Sequence, residues 1–366
     1  MSDGRKANGK WIDRWREGGV QRQRTFDRKV DRDRFRTWRR RQAQLGLPVA
    51  RELAPGVTLG EFVEDWWEQH ALVDLEPSTR RTYAQVWAKH LHPRLAGYEL
   101  RAITPDVVLD LRHRLHRRGV GDPTIVKALA MLQGIMAFAV LKGHTDTNPV
   151  ARVRKPRQAP ARQVTPIPPA TVELLRHQLP TTRDRALVSV LAYAGLRPQE
   201  ALALAVEDIS DRSLFIHGAV ADGSLRPYTK TRRHRFVRLL AALAQDLREY
   251  RLAVGIGRGL LFPRPDGAPW RDTDYRNWRR RVFQPAAKAA GLADAVPYDL
   301  RGSFVSLLIW EGQTIVEVSR QAGHSVATSD RHYARVFDGY DRAQRTSAEE
   351  AIRIAREQLA ATTNAA

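Results

Sequence analysis

The chain has 366 residues, and its 61 lysines and arginines against 40 aspartates and glutamates give a net charge of +21. The length allows two or three domains with a sizeable core, and the charge favours a polyanionic partner, of which nucleic acid is the commonest. The lack of cysteine excludes disulfides and thiolate metal sites and suits a reducing cytosol. A protein that is basic only for solubility is the alternative interpretation.

We expect no membrane span, because we find no apolar run that approaches the required roughly 18 residues. The charged N-terminus also lacks the apolar region of a secretory signal. The sequence therefore predicts a cytoplasmic protein of the bacterial nucleoid, with no membrane partner.

Residues 1–50 are rich in arginine and poor in aliphatic side chains, and they predict a small N-terminal module. Residues 10–15 alternate like a strand, residues 18–19 indicate a turn, and residues 21–26 fit the returning strand. Residues 28–44 then predict a basic helix. The few apolar anchors of that helix are Val30, Phe35 and Trp38.

Tryptophans lie among the arginines of this module, which argues against a disordered basic tail, the alternative interpretation. A small sheet of this kind fits into a DNA groove, with arginines on phosphates or base edges. Arg14 and Arg16 on the first strand are the candidate DNA-binding residues.

A turn signal at residues 47–48 predicts a boundary, and residues 57–150 predict a domain of four helices. Thr58 caps the first helix, and Glu61, three residues on, completes a capping box. The fourth helix, over residues 125–141, is apolar nearly all round and is therefore expected at the centre of the domain.

A basic string covers the end of the third helix of this domain. Arg112, Arg114 and Arg117 are its candidate phosphate-binding residues, and a solvated helix face is the alternative. A metal site at His113 and His116 is not expected, because no carboxylate partners them at ligand spacing.

Residues 151–169 hold several prolines and basic residues but little apolar content, which predicts a semi-extended linker between two domains. Such a linker is able to lie along DNA. Arg154 and Lys155 are its candidate DNA-binding residues.

Residues 165–345 predict a mostly helical domain with a small sheet. A strongly apolar helix stops at Gly195, a residue type that commonly ends helices. Pro198 fits the first position of the next helix, which is expected to run to about Val206. Arg197 therefore lies at a helix N-terminus, where backbone N–H groups favour an anion.

Strands are expected over residues 214–220 and 236–239, with a turn at residues 221–224. A basic hairpin or loop between them holds Lys230 and two candidate DNA-binding residues, Arg232 and Arg233. The C-terminal residues 346–366 contain an amphipathic helix pattern over 347–359, and this helix is a candidate for docking on a neighbouring subunit.

The last third of the chain holds an arginine, a histidine and a tyrosine at spacings that suit the surroundings of one phosphate. They are Arg301, His324 and Tyr333, and the outlying Arg197, Glu200 and Lys230 complete the set. Phosphodiester cleavage needs a nucleophile, cations for the charge on the phosphoryl oxygens and a proton for the leaving alkoxide. Tyrosine supplies the first if nearby cations lower its pKa from about 10, arginines the second and lysine the third.

The sequence shows no histidine–carboxylate cluster, Walker loop or dinucleotide-binding glycine motif. We therefore expect neither a metal nor a nucleotide, and no other cofactor.

Five short motifs follow one another in the second half of the chain. They are Ala194–Glu200 (AGLRPQE), Thr229–Lys230, Asp299–Arg301 (DLR), Ala322–His324 (AGH) and His332–Tyr333. In order and spacing they resemble the tyrosine recombinases of the phage-integrase type, and the resemblance covers about residues 165–345. Residues 57–150 resemble the core-site-binding domain of that family, and residues 1–50 its arm-site-binding domain.

The resemblance implies an α+β fold, mostly helical with small sheets, and a role for each site residue. Tyr333 would form a 3′-phosphotyrosine and free a 5′-hydroxyl. Arg197 and Arg301 would clamp the scissile phosphate, and His324 would hydrogen-bond one of its oxygens. Lys230 would protonate the leaving 5′-oxygen.

Glu200 would orient the arginine site. The family's activity further implies integration or excision of a mobile element such as a phage, with double-stranded DNA as partner at core and arm sites. A homo-tetramer would exchange strands in pairs through a Holliday junction, helped by an excision directionality factor and a DNA-bending host protein. Because the covalent bond stores the energy of the broken one, neither ATP nor a metal is required.

The sequence departs from the family pattern at Tyr298, where the family usually has histidine, and at Gly302, where a second histidine is frequent. A neutral tyrosine is a poor base at neutral pH, so we interpret Tyr298 as a hydrogen-bonding substitute. Tyr340 and Tyr275 are alternatives to Tyr333 as nucleophile. The alternatives for the whole protein are a type IB topoisomerase and a catalytically inactive DNA-binding regulator.

Overall fold

The computed structural model describes residues 9–17, 19–44, 56–157 and 164–364. The chain divides into two compact units, Met1–Ala159 and Pro160–Ala366. The predicted turn residue Gly18, the predicted boundary at residues 47–48 and the centre of the predicted linker, residues 158–163, lie outside the described residues.

The N-terminal module is a two-stranded antiparallel sheet followed by a helix, as its sequence predicted. The strands are β1 (Trp11–Glu17) and β2 (Val20–Phe26), and the helix is α1 (Lys29–Gln44). Asp13 is only 1% exposed and accepts hydrogen bonds from Arg36 and Arg39, each at 3.0 Å. A buried carboxylate between two guanidinium groups therefore ties α1 to the sheet.

The anchors of α1 differ in part from the prediction. Phe35 packs against Trp15 with ring centroids 5.6 Å apart, but Val30 is 57% exposed. Arg32 is buried instead, with its guanidinium 4.9 Å from the centre of the Trp11 ring. A cation stacked on an indole face contributes to packing, and a pattern of apolar residues does not reveal it.

The helical part of the first unit contains the four helices that its sequence predicted, and π-helical turns divide each of the first two into shorter helices. Its helices are α2 (Leu59–Trp66), α3 (Leu72–Asp74), α4 (Pro77–Val86), α5 (His92–Leu95), α6 (Pro105–Arg117) and α7 (Asp122–Leu141). π-Helical turns at Trp67–Ala71 and Trp87–Leu91 join α2 to α3 and α4 to α5. The capping box of Thr58 and Glu61 at the start of α2 is confirmed.

Helix α7 packs against α2, α4 and α6 at the centre of this bundle. Ile125, Leu129, Leu132 and Met136 on this helix are fully buried. By length and composition alone α7 is also a candidate membrane span, with a mean hydropathy of 1.9, so the expectation that no apolar run approaches that length is wrong. The core helix of a domain passes the same test, and the packing of α7 is of that kind.

The second unit is mostly helical. Its helices are α8 (Pro169–His177), α9 (Thr182–Tyr193), α10 (Pro198–Ala201), α11 (Ala241–Val254), α12 (Asp272–Trp278), α13 (Gln284–Ala289), α14 (Leu300–Trp310), α15 (Ile315–Ala322), α16 (Val326–Asp338) and α17 (Ala348–Asn364). A π-helical turn at Arg279–Phe283 joins α12 to α13. Helix α14 is buried from Leu300 to Ile309 and packs on α9, so these two helices form the centre of the core.

Two small antiparallel sheets complete this unit. The strands are β3 (Ser213–Ile216), β4 (Ala219–Ala221), β5 (Ser224–Arg226) and β6 (Arg235–Arg238). Strand β3 pairs with β6, and β4 pairs with β5. The single strand predicted over 214–220 is thus two strands, separated where Gly218 passes so close to the Arg226 carbonyl that a β-carbon would lie 2.9 Å from it.

The helix that follows Arg197 is shorter than predicted. Helix α10 ends at Ala201 instead of continuing to Val206. Beyond it the backbone N–H of Val206 donates to the Gly259 carbonyl and that of Leu261 to the Leu204 carbonyl, each at 2.8 Å. These long-range bonds replace the bonds of a continued helix, and local sequence does not encode them.

Both ends of the predicted linker pack within the two units. Val153 is 8% exposed in the core of the helical domain, and Ile167 is 7% exposed in the core of the second unit. The backbone N–H of Val164 also donates to the carbonyl of His332 at 3.1 Å. The segment free to act as a linker is therefore narrower than residues 151–169.

Helix α17 packs on α8, α11 and α14 of its own chain. Arg356 on this helix donates to Glu173 at 3.2 Å and to Asp246 at 2.7 Å. Arg176 contacts the same two carboxylates, which are 4% and 6% exposed. Docking of α17 on a neighbouring subunit stays a prediction.

Candidate functional site

The turn after α9 presents Arg197 at the start of α10. Gly195 has a φ of +61°, and a β-carbon there would lie 2.3 Å from the Phe304 ring, so only glycine fits the turn. Arg197 Nη1 donates to Glu200 Oε1 at 2.8 Å, and Nη2 donates to the Gly323 carbonyl at 2.9 Å. Its guanidinium is thereby fixed between two distant parts of the chain.

Arg301 lies in the first turn of α14 and is 1% exposed. Its Nη1 donates to the Gly195 carbonyl at 2.6 Å, and its Nη2 donates to the Ala322 carbonyl. Burial, followed by the nearby charge of Arg197, lowers the pKa of Arg301 to about 10. Arg301 is still protonated at neutral pH, so two close cations stand ready for an anion.

Glu200 and Arg235 form a buried ion pair behind these arginines. Arg235 on β6 donates to both oxygens of Glu200, at 3.2 and 2.7 Å, and to the Gln321 carbonyl at 2.9 Å. Burial raises the pKa of Glu200, but the hydrogen bonds and charge of Arg235 and the charge of Arg197 outweigh it and lower the pKa to about 2. Glu200 is therefore an anion that orients both guanidinium groups.

Sequence reasoning missed Arg235. The signal that reveals it is its position on β6, where residues 235 and 237 point inward and residue 236 points outward. An arginine at an inward position of a strand requires a buried partner. Its guanidinium also packs against Gly323, where a β-carbon would lie 2.8 Å from it.

His324 follows Gly323, the left-handed residue that ends α15. Its Nδ1 lies 3.1 Å from the hydroxyl of Ser329, and its Nε2 is buried without a hydrogen-bond partner among the described residues. Burial, followed by the charge of Arg301, lowers the pKa of His324 to about 4, and the backbone of Ser325 offsets them only in part. His324 is therefore neutral at physiological pH.

Tyr333 lies on α16 with its ring stacked near His324, at a centroid distance of 6.1 Å and an interplanar angle of 16°. It is 6% exposed. Burial raises the pKa of Tyr333 to about 12, although the charge of Arg301 opposes the rise. The condition that nearby cations lower this pKa is not met here, because desolvation of the phenolate outweighs the charge of Arg301.

Tyr298 and Lys230 are more exposed than the residues of this cluster. Tyr298 is 53% exposed, and its charge would act on Tyr333 and Arg301. Lys230 is exposed on the loop before β6, and in the described ranges it has no hydrogen bond or ion pair with the cluster. Its neighbour Thr229 is 1% exposed and donates to the Arg233 carbonyl at 2.9 Å, which holds the loop.

The other predicted DNA-binding residues are spread over both units. Arg14, Arg16, Arg114, Arg117, Arg154, Lys155, Arg232 and Arg233 are exposed. Arg114 forms an ion pair with Asp110 at 2.6 Å, and Arg232 stacks over the Tyr228 ring at 5.3 Å. Arg112 is half-buried and donates to the Arg154 carbonyl at 2.6 Å, so it also holds the chain just after the 3-10 turn Pro149–Arg152.

Tyr275 and Tyr340, the alternative candidates for the nucleophile, contact other residues. Tyr275 packs against Trp278, with ring centroids 5.9 Å apart, and burial raises its pKa to about 12. Tyr340 contacts Gly312 at a cavity of about 700 Å³ that is also lined by Asp330 and Phe337 of α16. Among the described residues, no group of three or more carboxylates and histidines suited to a metal ion is present.

Comparison with known proteins identifies the family. The Phage integrase family matches residues 167–339, and the N-terminal SAM-like domain of phage integrases matches residues 58–116. Tyrosine recombinase XerC of Xanthomonas axonopodis pv. citri is 28% identical over 251 residues, which cover 64% of this chain and 77% of that protein. XerC of Rhizobium meliloti is 28% identical over 312 residues, which cover 78% and 91%.

Solved structures share the fold. A lambda integrase dimer bound to a COC′ core site superposes with a TM-score of 0.62 at 17% identity, covering 92% of this chain and 95% of that one. The Tn1549 transposon integrase in complex with a circular intermediate DNA gives 0.62 at 14% identity, covering 83% and 99%. The predicted α+β fold of tyrosine recombinase type is confirmed.

The chain therefore belongs to the tyrosine recombinase family of the phage-integrase type, and it is an enzyme that cleaves and rejoins DNA.

Proposed function

We propose that the chain is a site-specific recombinase that integrates or excises a mobile element through a 3′-phosphotyrosine on Tyr333. The observation that carries this proposal is the convergence of Arg197, Arg301 and His324, at three separate helix ends, on Tyr333 in the middle of α16. Arg197 donates to the turn that holds His324, Arg301 donates to the same turn, and the His324 ring stacks near Tyr333.

The two arginines and His324 hold the scissile phosphate. Arg197 and Arg301 are fixed by carbonyls and by Glu200, so they are already oriented before DNA binds, which favours electrostatic stabilisation of the transition state. Neutral His324 donates a hydrogen bond from Nε2 to a non-bridging oxygen. Phosphate binding also places a dianionic transition state beside two cations that otherwise repel each other.

The reaction exchanges one phosphodiester for another. The Tyr333 oxygen attacks phosphorus and passes its proton to water, and the bond from phosphorus to the 5′-oxygen breaks. Lys230 gives that oxygen a proton and regains one from water, so no net proton is consumed. Rejoining is the reverse reaction with a 5′-hydroxyl of the partner strand. Since the number of phosphoester bonds is unchanged, no external energy source is consumed.

Lys230 and Tyr298 complete the site in this proposal. Lys230 is exposed on a loop held by buried Thr229, which suits a group that meets the leaving oxygen when DNA arrives. Tyr298 is half-exposed beside Tyr333 and Arg301 and donates a hydrogen bond to the phosphate or to Tyr333. We assign Tyr298 no role as a base.

The remaining predicted residues bind the DNA on either side of the cut. On β1, Arg14 and Arg16 alternate with Asp13 and Trp15, which are buried, and they pair across the sheet with Gln23 and Gln21. A ribbon face of arginine and glutamine suits base edges in the major groove. We propose that this face binds arm sites and that Arg112, Arg114, Arg117, Arg154, Lys155, Arg232 and Arg233 bind the phosphates of core sites.

A homo-tetramer on two sites exchanges strands in this proposal, with a directionality factor and a DNA-bending protein as accessory partners. A solved lambda integrase tetramer bound to a Holliday junction shares the fold, with a TM-score of 0.61. The chain would act on chromosomal DNA in the bacterial cytoplasm.

A recombination assay tests the function. A supercoiled plasmid carries, as direct repeats, the two DNA segments that flank the gene-bearing element in its source genome. We expect wild type to excise a circle with a new junction sequence, and Tyr333→Phe to bind the plasmid without excision. Relaxation without a new junction would identify a type IB topoisomerase instead, and binding with neither outcome would identify an inactive regulator.

A further inference from the structure

A hydrogen-bonded chain of two buried serines ends on the His324 ring. Ser319 lies on the last turn of α15 and Ser329 on the first turn of α16, and they are 3% and 0% exposed. Their Oγ atoms are 2.6 Å apart, and Ser329 Oγ lies 3.1 Å from His324 Nδ1. These hydrogen bonds therefore link α15, α16 and the His324 ring.

The hydrogen bonds of this serine–histidine chain can run in two directions, and one of them gives both hydroxyl protons an acceptor. Each serine hydroxyl has one proton to donate. If Ser319 donates to Ser329, then Ser329 donates to His324 Nδ1, and the ring proton sits on Nε2. In the reverse direction Nδ1 donates to Ser329 and Ser329 donates to Ser319, whose proton then has no acceptor among the described residues. Among the described residues each direction leaves one buried donor unpaired, Nε2–H in the first and the Ser319 hydroxyl in the second. The second also leaves the Nε2 lone pair without a donor, so the first direction is favoured.

The tautomer matters because His324 is neutral, so it carries a proton on one ring nitrogen and not on the other. Nε2 is the buried nitrogen that has no partner in the part of the chain that the structure describes. A proton on Nε2 makes it a donor to a phosphoryl oxygen, whereas a lone pair there repels that oxygen.

We propose that Ser329 is a positioning residue of the cleavage reaction: it accepts from Ser319, donates to His324 Nδ1 and so holds the histidine as the Nε2–H tautomer that donates to the scissile phosphate. The catalytic part of this inference rests on the proposed function. The tautomer itself is a property of the DNA-free chain and is testable alone.

NMR of protein labelled with ¹⁵N at histidine measures the tautomer at pH 7. Loss of one signal set in His324→Gln assigns the ring among the 11 histidines. We expect Nδ1 to be unprotonated and Nε2 protonated in wild type, and we expect that preference to weaken in Ser329→Ala. A wild-type ring protonated on Nδ1 would overturn the proposal.

Single-turnover cleavage and DNA affinity, measured on the same variants, test the consequence. Loss of one aimed hydrogen bond is expected to slow cleavage by about tenfold in Ser329→Ala, with DNA affinity unchanged, and Ser329→Thr should restore the rate. The matched control is Ser325→Ala, which removes the exposed hydroxyl that caps α16 through Thr328 and keeps the Ser325 backbone that acts on the His324 ring. We expect this control to cleave at the wild-type rate.

The outcomes separate the two proposals. If wild type cleaves DNA but Ser329→Ala has the wild-type tautomer and rate, the positioning role is wrong and the recombinase function stands. If wild type forms no covalent product but its NMR shows the Nε2–H tautomer held by Ser329, the proposed function fails and the serine chain remains a structural feature.

Discussion

In this site two arginines are held in place by the backbone carbonyls of two glycine turns. Arg197 and Arg301 donate to the carbonyls of Gly323 and Gly195, and both glycines have a positive φ. Those carbonyls neutralise no charge, and Glu200 is shared between Arg197 and Arg235, so a net positive charge remains on the cluster with Arg301. The cost of holding the guanidinium groups together is offset when a phosphate binds, which links substrate affinity to the geometry of two turns.

Glu200 contributes a stability that depends on pH. Its pKa is about 2 in the folded chain against an ordinary value of 4.5. Its contribution is therefore complete above pH 4.5 and is lost as the pH falls from 4.5 towards 2. We expect Glu200→Gln to be less stable than wild type at pH 6, with a gap that narrows on acidification in urea unfolding. A gap of constant size from pH 6 to pH 3 would contradict this pKa.

Arg235 is expected to matter for cleavage more than for binding. In Arg235→Lys a positive charge remains, but one ammonium group does not reproduce the bonds to both Glu200 oxygens and the Gln321 carbonyl. We expect single-turnover cleavage to fall by about 10- to 100-fold, as for residues that orient a reactive group, with DNA affinity nearly unchanged.

The control is Arg238→Lys on the same strand, whose guanidinium bonds Glu311 at 2.7 Å, a residue not in the cluster. Equal cleavage losses in both variants would show that Arg235 acts only by stabilising β6.

At the scale of elements, the segment before α8 packs so closely on the start of α14 that it limits the size of the side chain there. A β-carbon at Gly302 would lie 2.5 Å from Val164 Cγ1, and the Val164 backbone bonds the residue before Tyr333. A side chain at Gly302 would therefore displace the segment before α8, whose Val164 N–H donates to the His332 carbonyl on α16.

We therefore expect Gly302→Ala to destabilise the chain by about 1–3 kcal/mol, the usual cost of overpacking, in thermal or urea unfolding. Val164→Ala should recover part of that loss in the double variant. Gly134→Ala is the control, because a β-carbon there meets nothing within 4 Å and alanine in helix α7 is favoured by about 0.5–1 kcal/mol. No rescue by Val164→Ala would contradict the steric explanation.

Helix boundaries followed the local sequence closely where caps and glycines stand, as at Thr58 and Gly195, because those signals act within one turn. The site residues at such helix ends could be predicted from the sequence for the same reason. The sequence did not predict the roles of Arg235, Ser319 and Ser329, because their hydrogen-bond partners lie on other elements. The length of α10 depends on bonds to residues 259–261, which local sequence does not show.

At the scale of the molecule, the C-terminal helix is fastened to its own unit by buried charges. Arg356 and Arg176 share Glu173 and Asp246, and Ser189 donates to Asp246 at 2.7 Å. The carboxylates are nearly inaccessible to water, so loss of one arginine leaves them under-compensated. A helix held in this way leaves its own chain only if this ion network breaks.

We expect Arg356→Ala to lower the free energy of unfolding by about 2–4 kcal/mol, the range for breaking a buried ion pair, discounted for its partial exposure. The control on the same helix is Arg353→Ala, which removes only exposed pairs with Glu350 and Glu357 and should cost much less. Similar losses from both variants would show that the network adds nothing beyond surface pairing.

The most direct test of the central claim is the covalent adduct between the protein and DNA. Wild type and the variants Tyr333→Phe, Tyr340→Phe and Tyr275→Phe are mixed with DNA from the flanks of the element and denatured in detergent. Mass spectrometry then identifies the peptide that carries nucleotide.

We expect an adduct on the peptide that contains Tyr333 in wild type, Tyr340→Phe and Tyr275→Phe, and no adduct in Tyr333→Phe, with the DNA attached through its 3′-phosphate. An adduct that persists in Tyr333→Phe, or a nucleotide attached to another residue, would contradict the account.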